Sequence, residues 1–135
     1  MSRLQELVGH KDFEKNIKAL ICEFKSASRV SKLMDPNFVA CSEKEQTVTI
    51  SFPVQECQLN EHDTMHAGFI AAAFDEALGI FAAYLGDGKP TVSINISLNY
   101  LKPIPMGDEI LITAKATSLG RRLMTMSGEC RLKSS

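Results

Sequence analysis

The feature that most constrains this chain is an apolar run from Ala67 to Leu85 with two adjacent carboxylates, Asp75 and Glu76, near its middle. Its alanines and leucines favour helix, and a helix apolar nearly all round has to be surrounded by protein. A membrane span suits the run less, because alanine brings little volume and hydrocarbon penalises two mid-run charges. An unpaired carboxylate in such a helix is costly, so Asp75 calls for a reason. Two plain reasons exist: an exposed stripe shared with Glu76, or pairing of Asp75 with a distant lysine. Adjacent helix positions point about 100° apart, so one narrow stripe holds both poorly. The functional reason is that a carboxylate held in an apolar site gains proton affinity and becomes a general base toward water.

The flanking patterns indicate what surrounds this helix. Leu4, Leu7, Val8, Phe13, Ile17, Leu20, Ile21 and Phe24 recur at three- and four-residue steps, which predicts one or two amphipathic helices. Beyond Asp35-Pro36 the period changes to two. Phe38 and Ala40, then Val48, Ile50, Phe52 and Val54, alternate with polar residues. This predicts a hairpin around Glu43-Lys44-Glu45, with Pro53 at a strand end or edge. Three more alternating runs follow the long helix: Val92 to Tyr100, Ile110 to Ala116, and Met124 to Leu132. Gly86-Asp87-Gly88, Pro103 to Gly107 and Leu119-Gly120 separate them. Five strands curling round one long helix make an α+β fold with antiparallel neighbours. Ser93, Asn95, Ser97 and Asn99 form the polar face of the Val92–Tyr100 run, and such a face suits a partner subunit, hence a dimer.

The chain has 135 residues, a length suited to one domain. Fifteen basic residues against sixteen acidic ones give a net charge of -1, without the electrostatic footprint of a general nucleic-acid binder. Cys22, Cys41, Cys57 and Cys130 are too far apart for a CxxC metal or redox site, and they read as reduced thiols of an intracellular protein. Charges interrupt Met1 to Phe24 too often for a signal peptide. Glu6, Asp12, Glu14 and Glu23 argue against an import sequence, so the cytoplasm is expected and the mitochondrion is left open.

Several residues around the helix start could carry chemistry. His66 precedes Asp75 by nine residues, about 900° of rotation and roughly 13 Å along the axis. The two side chains therefore cannot readily meet within one subunit, and a site using both would be built from two chains. Free N–H groups between Met65 and Gly68 carry the positive end of the helix dipole, and Ala67 and Gly68 keep the approach to them clear. An ester or thioester oxygen gaining charge could be stabilised there. Asn60 either adds an amide donor or is a plain turn residue. His62 and His66, with Asp63 beside them, have no third His or Cys nearby and His62 is expected before the helix, so no metal is expected. No Gly-x-Ser-x-Gly elbow or supported Cys–His pair is present, which disfavours covalent catalysis. Gly120-Arg121-Arg122 and Lys102-Pro103 are either solvated surface or a pair of basic sites for the phosphates of a charged carrier.

Together Asn60, His66-Ala67-Gly68, Asp75 and Ser93 form a series that resembles the hotdog-fold acyl-CoA thioesterases of the phenylacetic-acid-degradation type, over about Asn37 to Leu132. In that family an Asn stands six residues before the His, an Asp nine residues after it, and a Ser eighteen further on; all three spacings are met. The resemblance implies a curved antiparallel sheet wrapped around a long central helix, with no cofactor. It implies hydrolysis of fatty acyl-CoA to fatty acid and coenzyme A. Asp75 would be general base or nucleophile and Ser93 would orient the water. The Ala67 N–H, helped by Asn60, would polarise the thioester carbonyl, and His66 would sit near the leaving thiolate. Ser93, Tyr100, Leu101, Lys102, Gly120, Arg121 and Arg122 would contact coenzyme A. Asp75 and Ser93 would face the other three across a dimer interface, with dimers pairing into tetramers.

Two departures from the family pattern stand out. Its middle glycine is Ala67 here, which keeps the N–H role only if its φ is negative. The division implied is a helical segment over 1–34 and a hotdog domain over 35–135, with the family's last strand missing after Leu132. The backbone beside the Ser93 strand would then be unpaired or rearranged. The alternative reading is a non-catalytic hotdog module that binds acyl-CoA or serves as an interaction dimer. A hotdog dehydratase is disfavoured, because those enzymes pair acid or base with a catalytic His differently.

Overall fold

The computed structural model describes residues 12–86 and 89–134. Asp12 opens the first helix, its side chain accepting from the Lys15 N–H at 3.1 Å. Helix α1 (Phe13–Ala27) buries Phe13, Ile17, Leu20 and Ile21, the three- and four-residue series expected of it. Ser28 ends α1 and caps α2 (Arg29–Met34), giving two helices. Leu4, Leu7 and Val8 lie outside the described residues.

Strands β1 (Asn37–Ser42) and β2 (Thr47–Pro53) form the expected hairpin through residues 43–46, and Pro53 is the last residue of β2. After the 3₁₀ turn Glu56–Gln58 comes helix α3 (Ala67–Leu85), then β3 (Glu109–Leu119) and β4 (Met124–Leu132). The strands form one antiparallel sheet in the order β1-β2-β3-β4. Val48, Ile50 and Phe52 of β2 and Ile110, Ile112 and Ala114 of β3 turn to the same face. Ala73, Ala77, Ile80 and Phe81 of α3 lie in the same core. The alanines let the helix approach the sheet closely, and fully burying each of the larger side chains contributes about 1.5–3 kcal/mol. By length and composition α3 would suit a membrane span, but these residues are core.

Two expectations are corrected. The helix is not enclosed on every side: Ala67, Gly68 and Asp75 are exposed while the opposite side is buried. Four strands, not five, form the sheet, because Val92–Tyr100 has no ladder partner and is not a strand. Strand geometry is stable only when neighbouring backbone takes up its N–H and C=O groups. Among the described residues no strand lies beside β4 to receive this run. Its first apolar residues stand in the open, Val92 88% and Ile94 80% exposed, whereas Leu98 packs partly buried against the core.

Candidate functional site

The start of α3 is held from three directions. The Met65 N–H donates to Ile104 O and the His66 N–H to Gln58 O, both at 2.7 Å. His66 is the N-cap residue, and its Nδ1 accepts from the Gly68 N–H at 2.9 Å. The Phe69 and Ile70 N–H groups both donate to His66 O, at 2.9 and 3.2 Å. From Met65 to Ile70, therefore, the Ala67 N–H alone has no partner among the described residues. The sequence predicts a set of free donors from Met65 to Gly68; capping by His66 and the two flanking carbonyls leaves one. Ala67 is the first residue of the helix and is not among the residues with positive φ, so alanine serves there without strain.

Ala67 also lines an open groove of about 280 Å³, together with Asn60, Met65, Ile70 and the run from Tyr100 to Pro103. The Tyr100 hydroxyl donates to Ala67 O at 3.2 Å, tying these two residues together. Asn60 has both characters expected of it. Its Oδ1 accepts from the His62 and Thr64 N–H groups, and its Nδ2 donates to Thr64 Oγ1 at 2.9 Å, a turn-holding role. An amide nitrogen carries two hydrogens, so a second donor remains beside the groove. Because His66 Nδ1 is an acceptor, the proton of the neutral ring sits on Nε2.

Asp75 lies elsewhere, two turns further along α3. Ser93 Oγ donates to its Oδ1 at 2.7 Å, and both residues are exposed. The apolar setting expected for Asp75 is absent within one chain, since α3 turns this side away from the sheet and the α1 and α2 helices. Glu76 occupies the half-buried position instead, its Oε2 accepting from Ser31 Oγ at 2.6 Å. Burial pushes its carboxyl above the usual range, opposed by the Ser31 hydrogen bond and aided by the Asp75 charge. The two adjacent carboxylates thus face different surroundings, as the 100° step requires.

The structure unites Asn60, Ala67, Tyr100, Leu101 and Lys102 in the groove and pairs Asp75 with Ser93 separately. Gly120, Arg121 and Arg122 form the exposed β3–β4 turn, closed by the Gly120 N–H on Leu123 O at 2.8 Å, and none of them lines the groove. Ile70 was not singled out from sequence; one turn after Ala67, it could have been found from helical spacing alone. Cys130 is no ready nucleophile, for burial pushes its thiol up to about 11.

A hotdog architecture with a groove at the start of its helix defines a class of protein. A family model described as "Thioesterase superfamily" matches residues 62–134, just over half of the chain, and the chain belongs to that family. Acyl-coenzyme A thioesterase 13 of Mus musculus is 31% identical over 70 residues, covering 52% of this chain and 50% of that protein. The Homo sapiens protein of the same name is 29% identical over 76 residues, covering 56% and 54%. This chain thus spans about half the length of the curated relatives it matches. Among solved structures, thioesterase superfamily member 2 from Mus musculus superposes with a TM-score of 0.72 at 23% identity, covering 89% of this chain and 85% of that one. The E. coli PaaI protein from the phenylacetic acid degradation operon gives 0.68 at 17% identity, covering 90% and 87%. These likenesses establish the hotdog fold.

Proposed function

We propose that this protein is an acyl-CoA thioesterase that hydrolyses fatty acyl-CoA to free fatty acid and coenzyme A, with each site assembled from two chains. The observation that carries this reading is the unpartnered N–H of Ala67 at the positive end of α3, a residue that lines a groove with Asn60 and Lys102. A thioester carbonyl seated there would have its developing oxyanion stabilised by that N–H and by Asn60 Nδ2. Asp75 is the general base or the nucleophile, and its link to Ser93 places a hydroxyl where it can orient the attacking water. Acting as base, Asp75 takes the water proton as oxygen bonds to the carbonyl carbon. Collapse of the tetrahedral intermediate then breaks the C–S bond. His66, the N-cap of α3 beside Ala67, is the group proposed to meet the departing thiolate. Tyr100, Leu101 and Lys102, together with Ser93 and the Gly120-Arg121-Arg122 turn, are the proposed coenzyme A contacts.

Asp75 and the groove lie on different parts of one chain, so the acid must come from a partner copy. Exposed Asp75, Ser93, Val92 and Ile94 favour such a contact, and two dimers pairing into a tetramer is the larger assembly this reading allows. The same separation favours a second reading, a module that binds acyl-CoA without cleaving it. In either case 35–135 is the proposed hotdog unit, preceded by a helical segment over 1–34. The cysteines, all free, suit a reducing compartment, cytoplasm or mitochondrion.

Thiol release from acyl-CoA of graded chain length, measured on a sample of known mass, tests the proposal. Release that saturates with substrate is expected. Saturable acyl-CoA binding without thiol release would replace it with the second reading, and neither binding nor release would sink both.

A further inference from the structure

We infer that the methyl group of Ala67 is a specificity filter, which favours acyl-CoA unbranched at the carbon next to the carbonyl over acyl-CoA branched there. The inference rests on the reading above in one respect, that the thioester carbonyl is seated at the Ala67 N–H. Ala67 is the exposed first residue of α3, without positive φ. In a helix the Cα–Cβ bonds lean toward the N-terminus, the same way as the N–H groups. With helical φ and standard bond lengths, an oxygen accepting from the N–H then lies about 3.5 Å from the Cβ of the same residue. That is van der Waals contact. Whatever else an acceptor touches at this amide, it touches the methyl. A bound carbonyl brings its own carbon and the first carbon of the acyl chain into the same space. A hydrogen on that first carbon fits beside the methyl, whereas a second carbon competes with it.

The surroundings hold the methyl in place. Met65 and Ile70 line the groove with Ala67 and belong to the packed core, only 3% and 8% exposed. A helical side chain leans back over the turn before it, so Ile70 covers the turn that carries Ala67. Core side chains of this kind yield space for an extra methyl only at a cost. The backbone is pinned as well. Tyr100 donates to Ala67 O at 3.2 Å, and His66 Nδ1 accepts from the next N–H, that of Gly68, at 2.9 Å. The methyl therefore cannot swing aside while the amide stays in position.

The test compares octanoyl-CoA with 2-methyloctanoyl-CoA, which differ by one methyl beside the carbonyl. Thiol release gives kcat/KM for each in the wild type, Ala67→Gly and Ala67→Val. The readout is the ratio of the two values, straight over branched. A change in the fold or in the strength of the amide donor moves both substrates together and cancels in that ratio. One methyl in a confined site is worth about 10–200-fold, so glycine is expected to lower the ratio at least tenfold and valine to raise it. If thiol is released but the ratio is the same in all three proteins, the inference is overturned and the thioesterase reading stands. If no thiol is released, calorimetric titration with the same two compounds supplies a ratio of Kd values instead. A Kd preference for the straight chain that shrinks in Ala67→Gly would support the filter in a protein that binds without cleaving. An unchanged Kd ratio, or no binding of either compound, would overturn it.

Discussion

Ser93 Oγ donates a 2.7 Å hydrogen bond to Asp75 Oδ1, joining the exposed side of the central helix to a run of chain that has no place in the sheet. The bond spans eighteen residues and holds an acid beside a hydroxyl.

Asp75→Asn keeps the size of the side chain and its ability to accept from Ser93, but it removes the base. Turnover of acyl-CoA is expected to fall by about 10²–10⁴-fold. The site is exposed, so melting should stay within about 0.5 kcal/mol of the wild type. Ser93→Ala removes one hydrogen bond to a charged group and should cost roughly ten- to a hundredfold. Thiol release is the measurement, and a fully active Asp75→Asn enzyme would remove Asp75 from the mechanism.

The unpartnered Ala67 N–H can be deleted with little other change. Ala67 is the first helical residue, where proline is well tolerated because its ring presets the helical φ. His66 before it has φ -62 and ψ 136, extended values that suit a residue preceding proline. Ala67→Pro should therefore fold and melt normally. It should lose about 10²–10³-fold in kcat, the usual cost of one oxyanion donor. A normal kcat would show that the carbonyl is not bound at this amide.

The residues that could be read from sequence are those whose roles depend on local spacing. The period-two runs became β2, β3 and β4, and the long apolar run became α3 with its 100° separation of Asp75 and Glu76 realised. Val92–Tyr100 has as clean an alternation as any of these, yet it is not a strand. Alternation reports which faces are apolar, whereas a strand also needs a neighbour, and that is a property of the whole sheet. The burial of Asp75 failed for a related reason: an apolar helix must be covered, but its sequence does not say whether its own chain does all the covering. Conversely, the single free amide at Ala67 was invisible beforehand, since Ile104 O and Gln58 O reach Met65 and His66 only through tertiary contacts.

Glu76 provides a pH signature. Burial raises its carboxyl pKa above the unfolded value, so the folded state disfavours the ionised form. Its contribution to stability is present in full below the unfolded pKa and is lost as pH rises through the folded one. Glu76→Gln keeps an oxygen to accept from Ser31 and has no charge to desolvate. The variant should melt above the wild type at pH 7, and the gap should close as pH falls toward about 4.3, the ordinary glutamate value. Thermal denaturation between pH 4 and pH 8 decides it. A gap that widens on acidification would mean that the ionised form stabilises the fold.

Gly128 tests how closely β4 lies on the helix. A Cβ built there would come within 3.1 and 3.2 Å of the Phe74 ring, which is itself buried. Replacing glycine by alanine in a strand ordinarily gains by restricting the unfolded chain, by about 0.4–1 kcal/mol. Here the ring must shift against a packed core, a cost of about 1–3 kcal/mol, so Gly128→Ala should be destabilising on balance. Phe74→Leu removes the ring atoms that the new methyl would meet. In that background the same substitution should become neutral or stabilising. A double-mutant cycle by chemical denaturation measures the coupling. If Gly128→Ala cost the same with and without the Phe74 ring, its effect would have to come from the backbone of β4 and not from this contact.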